Sequence, residues 1–474
     1  MGEAENTVTR RQVLTGVGMA AAGAALAGAL SGCDMERKDN RTEAEIATEE
    51  AQKNPSYNEF VPEGFNASNT VDLTVVADFY DLDHPCGVRD PAQQRYCSYA
   101  TFNMKDGTTR ENLQWVLAEW SRIASILQTG KPLGKVRPML GEGQQAKADN
   151  QVPKDTGEAY DLYPASLTFT FGFGPTLFDD RFGIADFKPA MLEEFGRITD
   201  DRFDPSEAGS DLCVQVCADD PQVVFHGLRA LVKATRRYTR IGFVQNGFMP
   251  LRKEGDQTTP RDLFGFRDGT TNPTEDDEFD EDVWVSGSDQ EWMNGSTYMI
   301  YRKTYTQMEA WDNMRITEQE RLIGRRKDSG APLSNPDGDE FTIPDFDAVD
   351  EDGNLLINPN GHIAITSDIR LGFKIFRRAY NYWDGLNEMG YQDIGFLNIA
   401  YTNDPKGKFF KLRDDMGKYD ELNEYYYDIG SGVYAVPNSP KTGHYIGQEF
   451  FTNDADPDAG DGSGEEGSAE GQTA

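Results

Sequence analysis

Alternation of apolar and polar residues marks Leu167-Thr168-Phe169-Thr170-Phe171-Gly172-Phe173-Gly174 as a half-buried strand, because successive side chains of a strand point to opposite faces. The same pattern predicts a strand at 212–217, and further strands are predicted at 71–77, 296–305 and 395–401. Helical spacing takes over after Thr108-Thr109-Arg110-Glu111, which offers a capping box. Leu113, Val116, Leu117, Trp120, Ala124 and Leu127 then share one face, so Trp115 and Trp120 read as packing residues. A helix over 221–237 turns Leu228, Leu231 and Val232 inward and carries His226 in its first turn as a half-buried structural histidine. Residues 308–314 are also predicted helical. A second capping box, Thr317-Glu318-Gln319-Glu320, starts a helix expected to run on through Gly324-Arg325-Arg326-Lys327.

The succession strand, helix, strand, strand, helix over 69–245, and a similar alternation over 246–451, predict an α+β fold. Its expected form is two ferredoxin-like domains, each an antiparallel sheet with peripheral helices. The ends read differently. Thr9-Arg10-Arg11-Gln12-Val13-Leu14 precedes an Ala/Gly-rich run that closes on Leu30-Ser31-Gly32-Cys33. This resembles a twin-arginine export signal over 1–33 with a lipobox, Cys33 becoming the lipidated terminus. The expected location is the outer face of the cytoplasmic membrane, reached through the twin-arginine translocase and held by a lipid anchor. Residues 34–68 read as a polar tether and 452–474 as an acidic tail.

Charge narrows the partners. Asp and Glu number 81 against 46 Lys and Arg, a formal net charge of −35 spread along the whole chain. Such a field repels nucleic acid and anionic lipid, so no nucleic-acid partner is expected. Dispersed acid of this kind matches a surface adapted to high salt. Five cysteines form no Cys-x-x-Cys pair, which disfavours structural zinc and iron–sulfur sites. Cys213 and Cys217, four apart in a strand, lie about 13 Å from one another and read as small buried hydrophobes. Cys86 and Cys97 flank a loop and are candidates for a disulfide outside the cell, with free thiols as the alternative.

The stretch with most chemical content is Phe264-Gly265-Phe266-Arg267-Asp268-Gly269-Thr270-Thr271-Asn272-Pro273. Glycine admits positive φ and lets backbone approach a flat ligand, so an Asp between glycines can be aimed at one atom. Taken alone, such a cluster is an ordinary turn more often than a site.

The rest of the chain changes that balance. Gly265-Phe266-Arg267-Asp268-Gly269 fits a Gly-x-x-Asp-Gly motif, and Leu177-Phe178-Asp179-Asp180-Arg181-Phe182-Gly183 follows the first-half strand. Gly324-Arg325, Gly330-Ala331-Pro332-Leu333, His362, Arg377-Arg378, Tyr380 and Tyr445-Ile446-Gly447-Gln448 succeed it in order. With these residues the sequence resembles the dye-decolourising peroxidase family, and within it the exported deferrochelatase/peroxidase branch. Two segments depart from the family. His362-Ile363-Ala364 replaces the usual His-Ile-Arg, and Ser367-Asp368-Ile369-Arg370 stands where Asn-Pro-Arg is expected.

The resemblance implies haem b in the second domain, with His362 as the proximal iron ligand. It implies Asp268 as general acid–base for hydrogen peroxide and Arg377 as the cation beside the separating oxygens. Gly269, Thr270 and Thr271 would lie along the cofactor edge, Arg370 and Arg377 would bind it, and Asp393 would be the carboxylate behind His362. The implied reaction is peroxide reduction coupled to oxidation of a phenolic or dye-like donor. Alternatives are iron release from haem and a lipid-anchored haem-binding protein without catalysis. A homo-oligomer is compatible with all three.

Overall fold

The computed structural model describes residues 71–134, 152–194, 201–250 and 259–452. The export signal with Cys33, the tether and the acidic tail lie outside them. Among the described residues no helix is long and apolar enough to cross a membrane.

Among the described residues nine strands form one sheet in the order β5-β9-β2-β3-β1-β4-β7-β8-β6, and a further pairing of β5 with β8 closes eight of them into a ring. The first half contributes β1 (Tyr96–Met104), β2 (Thr168–Phe173), β3 (Leu212–Ala218) and β4 (Thr239–Phe248). The second contributes β5 (Thr297–Thr306), β6 (Phe376–Arg377), β7 (Tyr380–Leu386), β8 (Gln392–Thr402) and β9 (Tyr426–Val436). Within each half the strands run antiparallel in the ferredoxin-like order, fourth-first-third-second, when β6 is set aside as an extension along β7's edge of β8. The halves meet at two slender joints, Phe173 with Ala435 and Phe248 with Asn381. β4 thus extends to Phe248 and carries the first half directly into the second.

Helix α1 (Arg110–Leu127) begins at Thr109, whose side chain accepts from Asn112 N while Asn112 reciprocates. Its apolar face, Leu113 to Leu127, is buried as the spacing predicts. Trp120 is fully buried, and Trp115 is exposed with its ring edge on Tyr238. Helix α2 (Pro221–Thr235) is capped by Asp220 and packs beside α1 on β1 and β3. His226 in α2 is buried near Asp155 and Glu158. His84 stacks at 4.1 Å on Trp284 and faces Gly295 O at 3.0 Å.

Several expectations change. Residues 71–77 form no strand, because the Asp72 side chain accepts from Thr74 N and turns the chain locally. β2 is buried along its whole length, since helices cover one face and the ring interior takes the other. A helix, α3 (Ile316–Ile323), stops at Gly324, where φ of +94° ends it. Between 308 and 314 only Met308–Trp311 is helical. Cys86 and Cys97 are free thiols, so the disulfide between them is not formed. Cys86 Sγ contacts Asp78 O and Gln128, whereas Cys97 faces Cys217 across the β1–β3 ladder. Cys213 and Cys217 are both buried in the ring interior, as expected of small apolar residues.

Candidate active site

A cavity opens beside β5 and β8 of the second half, and the loop after Pro260 forms part of its wall. That loop is a tight turn: Asp262 N donates to Phe266 O at 2.9 Å, and Phe266 N donates to the Asp262 carboxylate at 3.0 Å. Phe264 and Phe266 are buried against Trp311, which anchors the loop to the second-half core. Gly265 has φ of +86°, and a Cβ there would lie 2.7 Å from Lys327 Cε. Gly269, at φ +104°, has no atom of the described residues within 4 Å of a Cβ position and leaves that stretch of wall open. Asp268 follows from this geometry as a carboxylate held at the cavity wall.

Arg377 reaches the same wall from β6. β6 and β7 pair with one edge of β8 but are interrupted at Arg378 and Ala379. Arg378 turns inward to donate to Val88 O and Pro91 O, and Arg377 turns to the cavity. Its Nη2 donates to Asp268 Oδ1 at 2.8 Å. Asn272 secures the arrangement, donating to Arg377 O at 2.9 Å and accepting from Arg377 N at 3.1 Å. The two side chains are 32 % and 40 % exposed, and both line the cavity.

His362 opens helix α4 (His362–Thr366), and its ring lines the cavity. Nδ1 lies 2.7 Å from Asp420 Oδ2, and the other Asp420 oxygen accepts from Leu422 N at 2.9 Å. Asp420 terminates helix α5 (Lys411–Tyr419) and caps the helical turn that follows. Its side chain is fully shielded from solvent, so its charge acts on the imidazole undiluted. Burial alone would lower the His362 pKa, but the Asp420 charge and hydrogen bond outweigh it and raise the value.

Further charged residues line the cavity, among them Asp262, Arg302, Arg413 and Asp428. Burial pushes the Asp262 carboxyl up to about 7, and the negative charge of nearby Asp268 adds to the shift. Along β5, Arg302 meets Asp201 at 3.2 Å, and Arg413 Nε donates to Asp428 at 3.0 Å. Arg302 Nε and Nη2 and Arg413 Nη1 are buried with no hydrogen-bond partner among the described residues.

These features fit a flat, largely apolar, dianionic cofactor such as haem. Phe264, Phe396, Leu371, Leu412 and Met416 supply apolar wall, the open side of Gly269 admits a planar group, and unused guanidinium donors suit carboxylates. His362 is the candidate iron ligand through Nε2, because Asp420 occupies Nδ1.

Of the residues singled out in the sequence, Asp268, Arg377, His362, Gly269, Thr270 and Thr271 line one cavity. Arg370 does not: its guanidinium stacks over Phe346 at 4.9 Å and donates to Ala364 O. Asp393 is not the carboxylate behind His362 either. It lies near the start of β8, where Lys303 and Asp384 are its charged neighbours, and Asp420 takes the histidine. Asp420 went unread because Asp420-Glu421-Leu422 has the form of an ordinary helix cap, which it also is. Asp262 and the Arg302–Asp428–Arg413 group carried no motif signal. An arginine within the apolar strand run of β5 was the one available hint.

The fold and site together define a two-half antiparallel α+β protein with a histidine-carboxylate pair and an arginine-carboxylate pair on one cavity. Residues 87–249 match the family model described as Dyp-type peroxidase, N-terminal, and residues 259–441 match Dyp-type peroxidase, C-terminal. The chain belongs to the Dyp-type peroxidase family. It is 32% identical over 352 residues to the dye-decolorizing peroxidase of Thermobifida fusca, covering 73% of this chain and 77% of that protein. It is 32% identical over 390 residues to the deferrochelatase of Escherichia coli K12, covering 78% and 86% respectively. Among solved structures, DtpA from Streptomyces lividans superposes with a TM-score of 0.73 at 31% identity, covering 81% of this chain and 99% of that one. A DyP-type peroxidase from Streptomyces coelicolor gives 0.72 at 30% identity, with 82% and 99% covered.

Proposed function

We propose that this protein is a haem-dependent peroxidase that reduces hydrogen peroxide and oxidises dye-like or phenolic donors. The observation that carries the reading is the convergence of His362–Asp420 and Asp268–Arg377 on one cavity. His362 holds the cofactor, and Asp420 keeps the Nδ1 proton so that Nε2 is the free donor. Arg302 and Arg413 have donors available for the cofactor's carboxylates. Bound haem supplies the redox chemistry by which peroxide is reduced and a donor oxidised.

The chain's own part is proton and charge handling. Asp268 accepts a proton from one peroxide oxygen and returns it to the other, which then leaves as water. Arg377 keeps a fixed positive charge beside those oxygens and, through its 2.8 Å hydrogen bond, holds the carboxylate in position. Asn272 prevents that pair from drifting by tying the loop to β6.

Titrating the purified chain with haem and then adding peroxide with an anthraquinone dye or a phenol tests the reading. A Soret band and peroxide-dependent loss of donor are expected. Absence of haem binding would sink the proposal, and binding without turnover would leave a haem-binding protein. The similarity to the E. coli deferrochelatase favours one second reading, iron release from haem, whose signature is metal-free porphyrin after incubation. We further propose export by the twin-arginine route with Cys33 as the lipidated residue, supported by Arg10-Arg11 and Leu30-Ser31-Gly32-Cys33. Release of the protein from membranes by Cys33→Ala checks that part.

A further inference from the structure

The ring interior holds thiols that the peroxide chemistry above does not use. Cys97 of β1 and Cys217 of β3 are direct partners in the antiparallel register, between the pairs Tyr96 with Ala218 and Ser98 with Val216. Both side chains are buried, 2% and 1% exposed, and each influences the titration of the other. Directly opposed residues of an antiparallel ladder have Cα atoms about 4.5–5.5 Å apart. A disulfide spans about 4.4–6.8 Å between Cα atoms, so the ladder brings this pair within disulfide range. The other described cysteines lie elsewhere. Cys213 packs its sulfur 3.9 Å from Met299 Sδ, and Cys86 sits against Gln128.

The surroundings also set the two sulfurs apart. Tyr380 Oη and Gln215 Nε2 each donate to Cys217 Sγ at 3.3 Å. Burial alone would raise the Cys217 thiol, but its hydrogen-bond donors and the Arg378 charge outweigh that and lower it. Cys97, without those donors, is raised by burial. A thiolate beside a thiol is the arrangement in which one sulfur attacks and the other resolves.

We propose that Cys97 and Cys217 are a two-electron redox pair that hydrogen peroxide closes to a disulfide. The Cys217 thiolate attacks one peroxide oxygen, the O–O bond breaks, and the departing hydroxide takes a proton to become water. The resulting Cys217 sulfenic acid is attacked by the Cys97 sulfur; the S–O bond breaks, the S–S bond forms, and a second water leaves with the Cys97 proton. The two thiols lose two electrons and two protons, and the peroxide gains them. Hydrogen peroxide is small and uncharged, as the oxidant of a buried thiol must be.

The test reads sulfur directly, so it stands whether or not the chain turns peroxide over at haem. Full-length protein is treated with hydrogen peroxide, unfolded in an alkylating reagent and mapped by non-reducing peptide mass spectrometry. A linked Cys97–Cys217 peptide, lighter by two hydrogens and opened by dithiothreitol, is expected, with Cys86 and Cys213 alkylated throughout. Cys97→Ala is expected to leave Cys217 trapped by a dimedone probe as the sulfenic acid. Full alkylation of both Cys97 and Cys217 after peroxide overturns the proposal, as does a link through Cys86 or Cys213. The wild-type map decides the matter even if the variant misfolds.

Discussion

His362 Nδ1 and Asp420 Oδ2 lie 2.7 Å apart although 58 residues separate them in the chain. The carboxylate is fixed by its own cap on Leu422 N, so it orients the imidazole instead of following it. Asp420→Asn keeps the cap and most of the shape but loses the charge. Haem affinity is expected to fall about 10–100-fold, measured by titrating the haem-free variant. Unchanged affinity would remove Asp420 from cofactor binding.

Asp268→Asn preserves the size of the side chain that meets Arg377 but cannot accept the peroxide proton. Retained haem and a loss of about 10²–10⁴-fold in the rate of reaction with peroxide are expected. Stopped-flow absorbance on the haem-loaded variant is the measurement. Wild-type rates would assign the proton transfer elsewhere.

Asp262 makes a pH prediction whose sign is set by its raised value. The folded protein holds this proton up to about 7, whereas an unfolded carboxyl releases it near 3.8. The folded state therefore binds more protons across that interval, and stability falls as pH rises through it. The unfolding free energy of the haem-free protein, from denaturant titration, should decline from pH 5 to pH 8 by about 1–3 kcal/mol, on the usual conversion of pKa shifts. Asp262→Asn should flatten that slope; a variant with the wild-type slope would refute the assignment.

The net charge of −35 predicts a salt requirement. The screening length shrinks from about 30 Å at 0.01 M salt to about 3 Å at 1 M, so repulsion among surface carboxylates strengthens on dilution. Circular dichroism should show unfolding as salt is removed. A fold equally stable at millimolar and molar salt would contradict adaptation to high salt.

The sequence was most readable where one periodicity met one environment. α1 shows its buried face at helical spacing, and β3 shows its strand in alternation. The cavity's motif residues were readable because Asp268, His362 and Arg377 stand in ordered patterns. What surrounds them was not. Asp420 and Asp393 are both acids near the second-half elements, and only the path of α5 decides which one reaches His362. Residues 71–77 look like a strand in composition, yet the Asp72 side chain turns the backbone first. Cys86 and Cys97, open in the sequence between a disulfide and free thiols, are free, and the approach of Cys97 to Cys217 comes from the β1–β3 register, which pairs residues 120 positions apart in the chain and leaves no local trace.

The β5–β8 pairing that closes the ring also governs how the chain can be divided. Each half protects strand edges of the other, at Phe173 with Ala435 and at Phe248 with Asn381. Severing the chain after Phe248 would free the outer strands β2 and β4 on one fragment and β9 and β7 on the other. Exposed edges of that kind recruit further strands, so neither fragment is a portable module. Grafting or truncating this protein at the boundary between its halves would exchange a scaffold with paired edges for a self-associating one.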